Sequence, residues 1–141
     1  MKRVVFKRVP RKPVGKARSW EAILKTYRER IEQYNWHYEP MLNLIEKLAV
    51  SPVAKELYPH TSMATLVITD DEQFYPDDNL LYINYNSKTR EFDFEHRALS
   101  GKNDKRTCSE AEALQTLSLF LKYKFGVLFD PKASFQEKQT K

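Results

Sequence analysis

The chain reads as an α+β protein in which helices are followed by a three-stranded antiparallel β-meander and a C-terminal helix, with room for an added N-terminal edge strand. Three observations predict this. Apolar residues recur every three or four positions through residues 19–48, β-branched and aromatic residues cluster or alternate through 62–97, and the helical period returns from Ser109. With 141 residues, 41% hydrophobic and 13% aromatic, one domain around one core is expected rather than a disordered chain.

Residues 1–18 stand apart from the rest. Lys2, Arg3, Lys7, Arg8, Arg11, Lys12, Lys16 and Arg18 supply eight cations with no acid among them. The other 123 residues hold 16 cations against 19 acids, so the sequence pI of about 9.2 belongs to an arm and the body is mildly acidic. Within the arm, "RVVFKRV" (3–9) suits a short strand, whereas "PRKPVGKAR" carries two prolines and a glycine that break regular structure. The arm is therefore read as an edge strand followed by a linker.

Ser19 is the expected N-cap of a first helix whose apolar face is Trp20, Ile23, Leu24, Tyr27, Ile31 and Tyr34. Pro40 predicts a break near 38–40, after which Met41, Leu44, Ile45 and Leu48 resume the period. Ser51 and Pro52 predict the start of a third, short helix over "PVAKELY". Tyr34, Trp36, His37 and Tyr38 are more aromatic surface than one helix face buries, which reads either as a core corner or as an exposed patch for dimerisation.

"SMATLVIT" (62–69), "NLLYINYN" (79–86) and "REFDFEHRA" (90–98) are the three strands, the last two joined by a turn at "NSKT". The third alternates cleanly: Phe92, Phe94 and His96 oppose Glu91, Asp93, Glu95 and Arg97. After a polar loop, "SGKNDK", the pair Ser109 and Glu112 matches a capping box that opens a helix through Leu114, Leu117, Leu121 and Phe125, with Gly126 as its stop. The domain is thus expected over 19–130, with a mobile polar tail at 131–141.

Several classes of function are disfavoured. No run approaches a signal peptide or the roughly 20 apolar residues of a membrane span, and the lone Cys108 cannot form an internal disulfide, so a cytoplasmic protein is expected. Only three glycines occur, without a nucleotide-cradling motif, and the acid-rich segment 70–78 lacks the order of a calcium loop, so neither cofactor nor metal is expected.

The favoured expectation is a small non-enzymatic binding or regulatory module. Its partner site would be the acidic loop and the acidic strand face. Phe74 and Tyr75 serve as aromatic anchors, Asp70, Asp71, Asp77 and Asp78 surround them, and Asp93 and Glu95 add carboxylates from the sheet. In size and element order the chain resembles small bacterial immunity proteins, which implies a protein partner. The alternative is nucleic-acid binding by the eight cations of the arm, since neutralised phosphates release counterions whatever the spacing of the charges. A third reading is an enzyme that uses His60, His96 or Cys108, the thiol being activated by a helix N-terminus. A homo-oligomer is compatible with all three.

Overall fold

The computed structural model describes residues 15–74, 79–98 and 103–131. A two-residue strand β1 (Gly15–Lys16) leads into α1 (Trp20–Tyr34) and α2 (Glu39–Ala49). There follow a 3-10 turn (Pro52–Glu56) and the strands β2 (Tyr58–Ser62), β3 (Thr65–Thr69), β4 (Gln73–Phe74), β5 (Leu80–Asn86), β6 (Glu91–Arg97) and β7 (Asp104–Ser109). A second 3-10 turn (Glu110–Glu112) precedes α3 (Ala113–Phe125).

The helix boundaries follow local chemistry. Ser19 Oγ accepts the Ala22 N–H at 3.0 Å, satisfying one of the orphan donors of the first turn of α1. Asn35 ends that helix in the left-handed conformation, and Pro40 sits in the first turn of α2, where a missing N–H breaks no helical bond. Gly126, at φ +68°, stops α3.

The main sheet is a fully antiparallel meander of five strands in the order β2-β3-β5-β6-β7. This corrects the expected three-stranded meander. Residues 62–69 were expected as one strand, yet they contain the end of β2, a two-residue turn at Met63 and Ala64, and β3. No glycine or asparagine marks that turn, and Pro59 makes β2 look unlike a strand; it is accommodated because β2 is an edge strand. The expected polar loop runs into β7, whose "DKRTCS" shows no apolar alternation because it lies at the other edge. The expected third helix is only the 3-10 turn, where Ser51 Oγ donates to the Leu48 carbonyl instead of capping. The expected strand at 3–9 lies outside the described residues. Within the expected linker, Gly15 and Lys16 form a short strand that pairs with Phe74 and Gln73.

All three helices cover one face of this sheet. Ile23 and Tyr27 of α1, Met41, Leu44, Ile45 and Leu48 of α2, and Leu117, Phe120 and Leu121 of α3 share one core with Leu66, Ile68, Leu81, Ile83, Tyr85, Phe92 and Phe94. A chain of ring contacts runs through it. Trp36 meets Tyr38 (5.2 Å between centroids), Tyr38 meets Tyr85 (5.7 Å), Tyr85 meets Phe92 (4.9 Å), Phe92 meets Phe94 (6.2 Å) and Phe94 meets Phe120 (5.6 Å). Of the aromatic surplus after α1, Tyr38 packs against the core and Trp36 is half-buried beside it, whereas His37 is exposed and Tyr34 is left 67% exposed.

The β2–β3 hairpin is docked on α1. Tyr27 Oη donates to the Ala64 carbonyl at 2.8 Å and Arg30 Nη1 to the Met63 carbonyl at 2.6 Å. Positive φ at Met63 (+56°) but not at Ala64 is the pattern of a type II′ turn, whose first central position favours glycine. Met63 is 85% exposed, so little packing is at stake there. Met63→Gly should raise the unfolding free energy by about 0.5–1 kcal/mol, the left-handed penalty less the extra entropy glycine loses on folding. Urea denaturation checks this, and a destabilised variant would contradict the turn assignment.

Candidate functional site

The sheet's second face carries no helix among the described residues, and strand register arranges it in transverse rows. His60, Val67, Tyr82, Glu95 and Lys105 stand opposite one another across all five strands. Beside them runs a row of small polar groups. Ser62 opposes Thr65, Asn84 opposes Asp93, and Asp93 opposes Thr107. Thr65 Oγ1 is bonded to Asn84 Oδ1 at 2.6 Å and Thr107 Oγ1 donates to Asp93 Oδ1 at 2.6 Å, so these side chains are held in place before any partner arrives.

One end of this face is covered. β1 and β4 form a small ribbon, the Ala17 N–H donates to the Glu72 carbonyl and the Arg18 N–H to the Pro59 carbonyl, both at 2.9 Å. Ala17, Tyr58 and Tyr82 pack on Val67 and Leu80 there, which explains why two apolar residues on the outer side of the sheet are buried. The other end is open among the described residues, with a depression of about 400 Å³ lined by Tyr82, Asn84, Asp93, Glu95, Lys105, Arg106 and Thr107. Arg97 stacks over Tyr82 at 4.3 Å and pairs with Glu95 at 3.3 Å, a contact that raises its guanidinium pKa.

The expected site residues separate into groups. Asp93 and Glu95 lie on the open face, each engaged by a neighbour, Thr107 and Arg97 respectively. Asp70 and Asp71 are exposed on the bend after β3, where Asp71 Oδ1 accepts the Gln73 N–H at 3.1 Å. That bend leaves the sheet beside Leu80 and Arg97, four residues and so roughly 13 Å along the strand from Asp93. Phe74 belongs to β4 and pairs through its backbone with Gly15, while Tyr75, Asp77 and Asp78 lie outside the described residues.

Of the arm's cations, Lys2, Arg3, Lys7, Arg8, Arg11 and Lys12 also lie outside the described residues. Lys16 is exposed in β1. Arg18 is used internally, donating to Thr61 Oγ1, Thr26 Oγ1 and the Ala22 carbonyl at 2.7–3.2 Å. Sequence reasoning did not single out Asn84, Lys105, Thr107 and Thr65. Alternation in 80–86 was enough to place Tyr82 and Asn84 on one face, but the partners from β7 needed a strand that composition hid.

The candidate nucleophile and bases do not converge. Cys108 is in β7 rather than at a helix N-terminus, and burial raises its thiol pKa, opposed by a hydrogen bond to Thr116. His96 opposes Asp104 while Cys108 opposes Phe92, which separates the two by roughly 13 Å along the strands. His60 is on the far edge strand, about 19 Å from β7 at ordinary strand spacing. Among the described residues no three His, Cys, Asp or Glu side chains group as a metal would require, and no helix is long and apolar enough to cross a membrane.

By fold and surface this is a two-layer α+β protein with a polar, partly covered sheet face. No family model, curated protein or solved structure matches the chain.

Proposed function

We propose that this is a small non-enzymatic interaction module that docks a protein partner on the open end of its sheet, with the acidic bend at Asp70 and Asp71 standing about 13 Å away at the covered end. The observation that carries this reading is the ordered polar row of Thr65, Asn84, Asp93 and Thr107, held by side-chain bonds of 2.6 Å and flanked by the Tyr82–Arg97 stack. Side chains already fixed lose little entropy on association, and Tyr and Arg are the residue types on which binding energy concentrates. The nucleic-acid reading rests on the arm's charge alone, and Arg18 has its guanidinium committed inside the fold.

The test is affinity capture from the native cell, quantified by mass spectrometry, with Asn84→Arg/Asp93→Arg compared with wild type. Lys25→Glu, on the exposed side of α1, is the control. A partner recovered by wild type and control should drop at least about tenfold with the folded double variant, as when like charges are forced together at an interface. Equal recovery by all three proteins would remove the open face from consideration.

A further inference from the structure

The two edges of the sheet are not alike. β2 contains Pro59, which has no N–H to donate, and the Arg18 backbone already bonds to its outer side. β7 is six residues long, contains no proline, and pairs on one side only among the described residues. Beside that open edge runs the outer face of α3, where Leu119 is 44% and Tyr123 is 69% exposed. The groove between them, about 230 Å³, is lined by Asp104, Arg106, Thr116, Leu119, Phe120, Tyr123 and Lys124.

We propose that two copies of this chain pair β7 to β7 in antiparallel fashion about a two-fold axis at Thr107, giving one ten-stranded sheet. This register places Thr107 opposite its own copy, a favourable threonine pair, and Arg106 opposite Cys108 of the second copy. Glu112 lies near Cys108, since its charge raises that thiol's pKa and its carboxylate meets Ser109 Oγ at 3.4 Å. Each Arg106 therefore comes within reach of Glu112 of the second copy, and the contact occurs twice.

Arg106 projects from an edge strand on the helix-covered side, and an inward-pointing charge there ordinarily blocks indiscriminate strand addition. It also makes no ion pair of its own among the described residues. Asp104 is already held by Lys124 at 2.8 Å. A strand that brings an acid to Arg106 relieves the block, and this chain's own register does so. A register slipped by two residues, which moves the two-fold to Arg106, sets Arg106 against Arg106 and does not.

The helices fit the same symmetry. α3 contacts both β6 and β7, so with strands about 4.8 Å apart its axis falls about 5 Å from the two-fold. Two such helices stand about 10 Å apart, an ordinary packing distance. Thr116 is level with Cys108, and Leu119 and Phe120 line the groove with Arg106, so the two Leu119 side chains meet near the axis.

The test reads register directly. Directly opposed residues in an antiparallel pair have Cα atoms about 4.5–5.5 Å apart, within disulfide range. Thr107→Cys in a Cys108→Ser background should give a covalent dimer on mild oxidation, while Ser62→Cys in the same background, on the opposite edge, should not. In sedimentation across a concentration series, Arg106→Glu should weaken the wild-type dimer about tenfold, and Arg106→Glu/Glu112→Arg should restore it. Circular dichroism confirms that each variant is folded. Monomeric wild type, a dimer indifferent to Arg106→Glu, or equal cross-linking through Ser62→Cys would each overturn the proposal.

Discussion

Alanine at Phe94 is expected to lower the unfolding free energy by about 3–5 kcal/mol, a large part of the roughly 5–15 kcal/mol that holds a domain of this kind together. Phe94 is fully buried in the middle of β6, opposite Ile83 on β5, and its ring stacks on Phe120 of α3 at 5.6 Å with 11° between planes. The variant opens a cavity where the helical layer meets the sheet and removes two ring contacts, those to Phe92 and Phe120. Phe94→Leu, which keeps most of the volume, should cost under about 1.5 kcal/mol. Urea denaturation of both variants checks the pair; a loss below about 1 kcal/mol for the alanine variant would mean that α3 does not pack on β6.

Stability should also fall as the pH drops below 6.5, and His96 should be a principal cause. The side chain is 3% exposed, packs edge-on against Phe125 at 5.8 Å, and neither ring nitrogen has a hydrogen-bond partner among the described residues. Burial, and after it the charge of Lys124, push its pKa below the ordinary 6.5, with Asp104 opposing. The unfolded chain therefore takes up a proton at His96 near pH 6.5, while the folded chain does so only at lower pH. The contribution is fully present above 6.5 and is lost as pH falls toward the folded pKa, at up to about 1.4 kcal/mol per pH unit for one proton.

His60 acts in the same direction, lowered by burial and then by Arg18, so His96→Leu should reduce the slope between pH 7.5 and 5 without abolishing it. Asp104 and Glu110, lowered by their bonds to Lys124 and Arg90, titrate below this window. An unchanged slope in His96→Leu would mean that the imidazole is protonated or solvated in the folded protein.

Where a residue's role is decided by its immediate neighbours in the chain, it was legible. Ser19 as a cap, Pro40 at a helix start, Gly126 as a stop and Asn86 at the β5–β6 turn act over one turn of backbone, and each acts as expected. The alternation of Phe92, Phe94 and His96 against Asp93 and Glu95 likewise assigned the faces of β6 correctly. β2 and β7 were not legible, because an edge strand needs no continuous apolar pattern and the turn at Met63 holds an unfavoured backbone angle through bonds from Tyr27 and Arg30. Half of the candidate site shared that fate: Asp93 and Glu95 were visible, but Thr107 and Lys105 belong to β7.

By itself, then, the sequence determined an α+β chain with a capped helix, a proline break, a β5–β6 hairpin, a closing helix and a basic arm on an acidic body. Period, caps and charge are local properties that one-dimensional order carries. Only the tertiary structure decided that the sheet has five strands, that Gly15 and Lys16 pair with Gln73 and Phe74, and that Val67 and Leu80 are buried on the outer face. Those outcomes depend on pairing between residues distant in the chain, where cross-strand register and the covering of one surface by another override each segment's own composition.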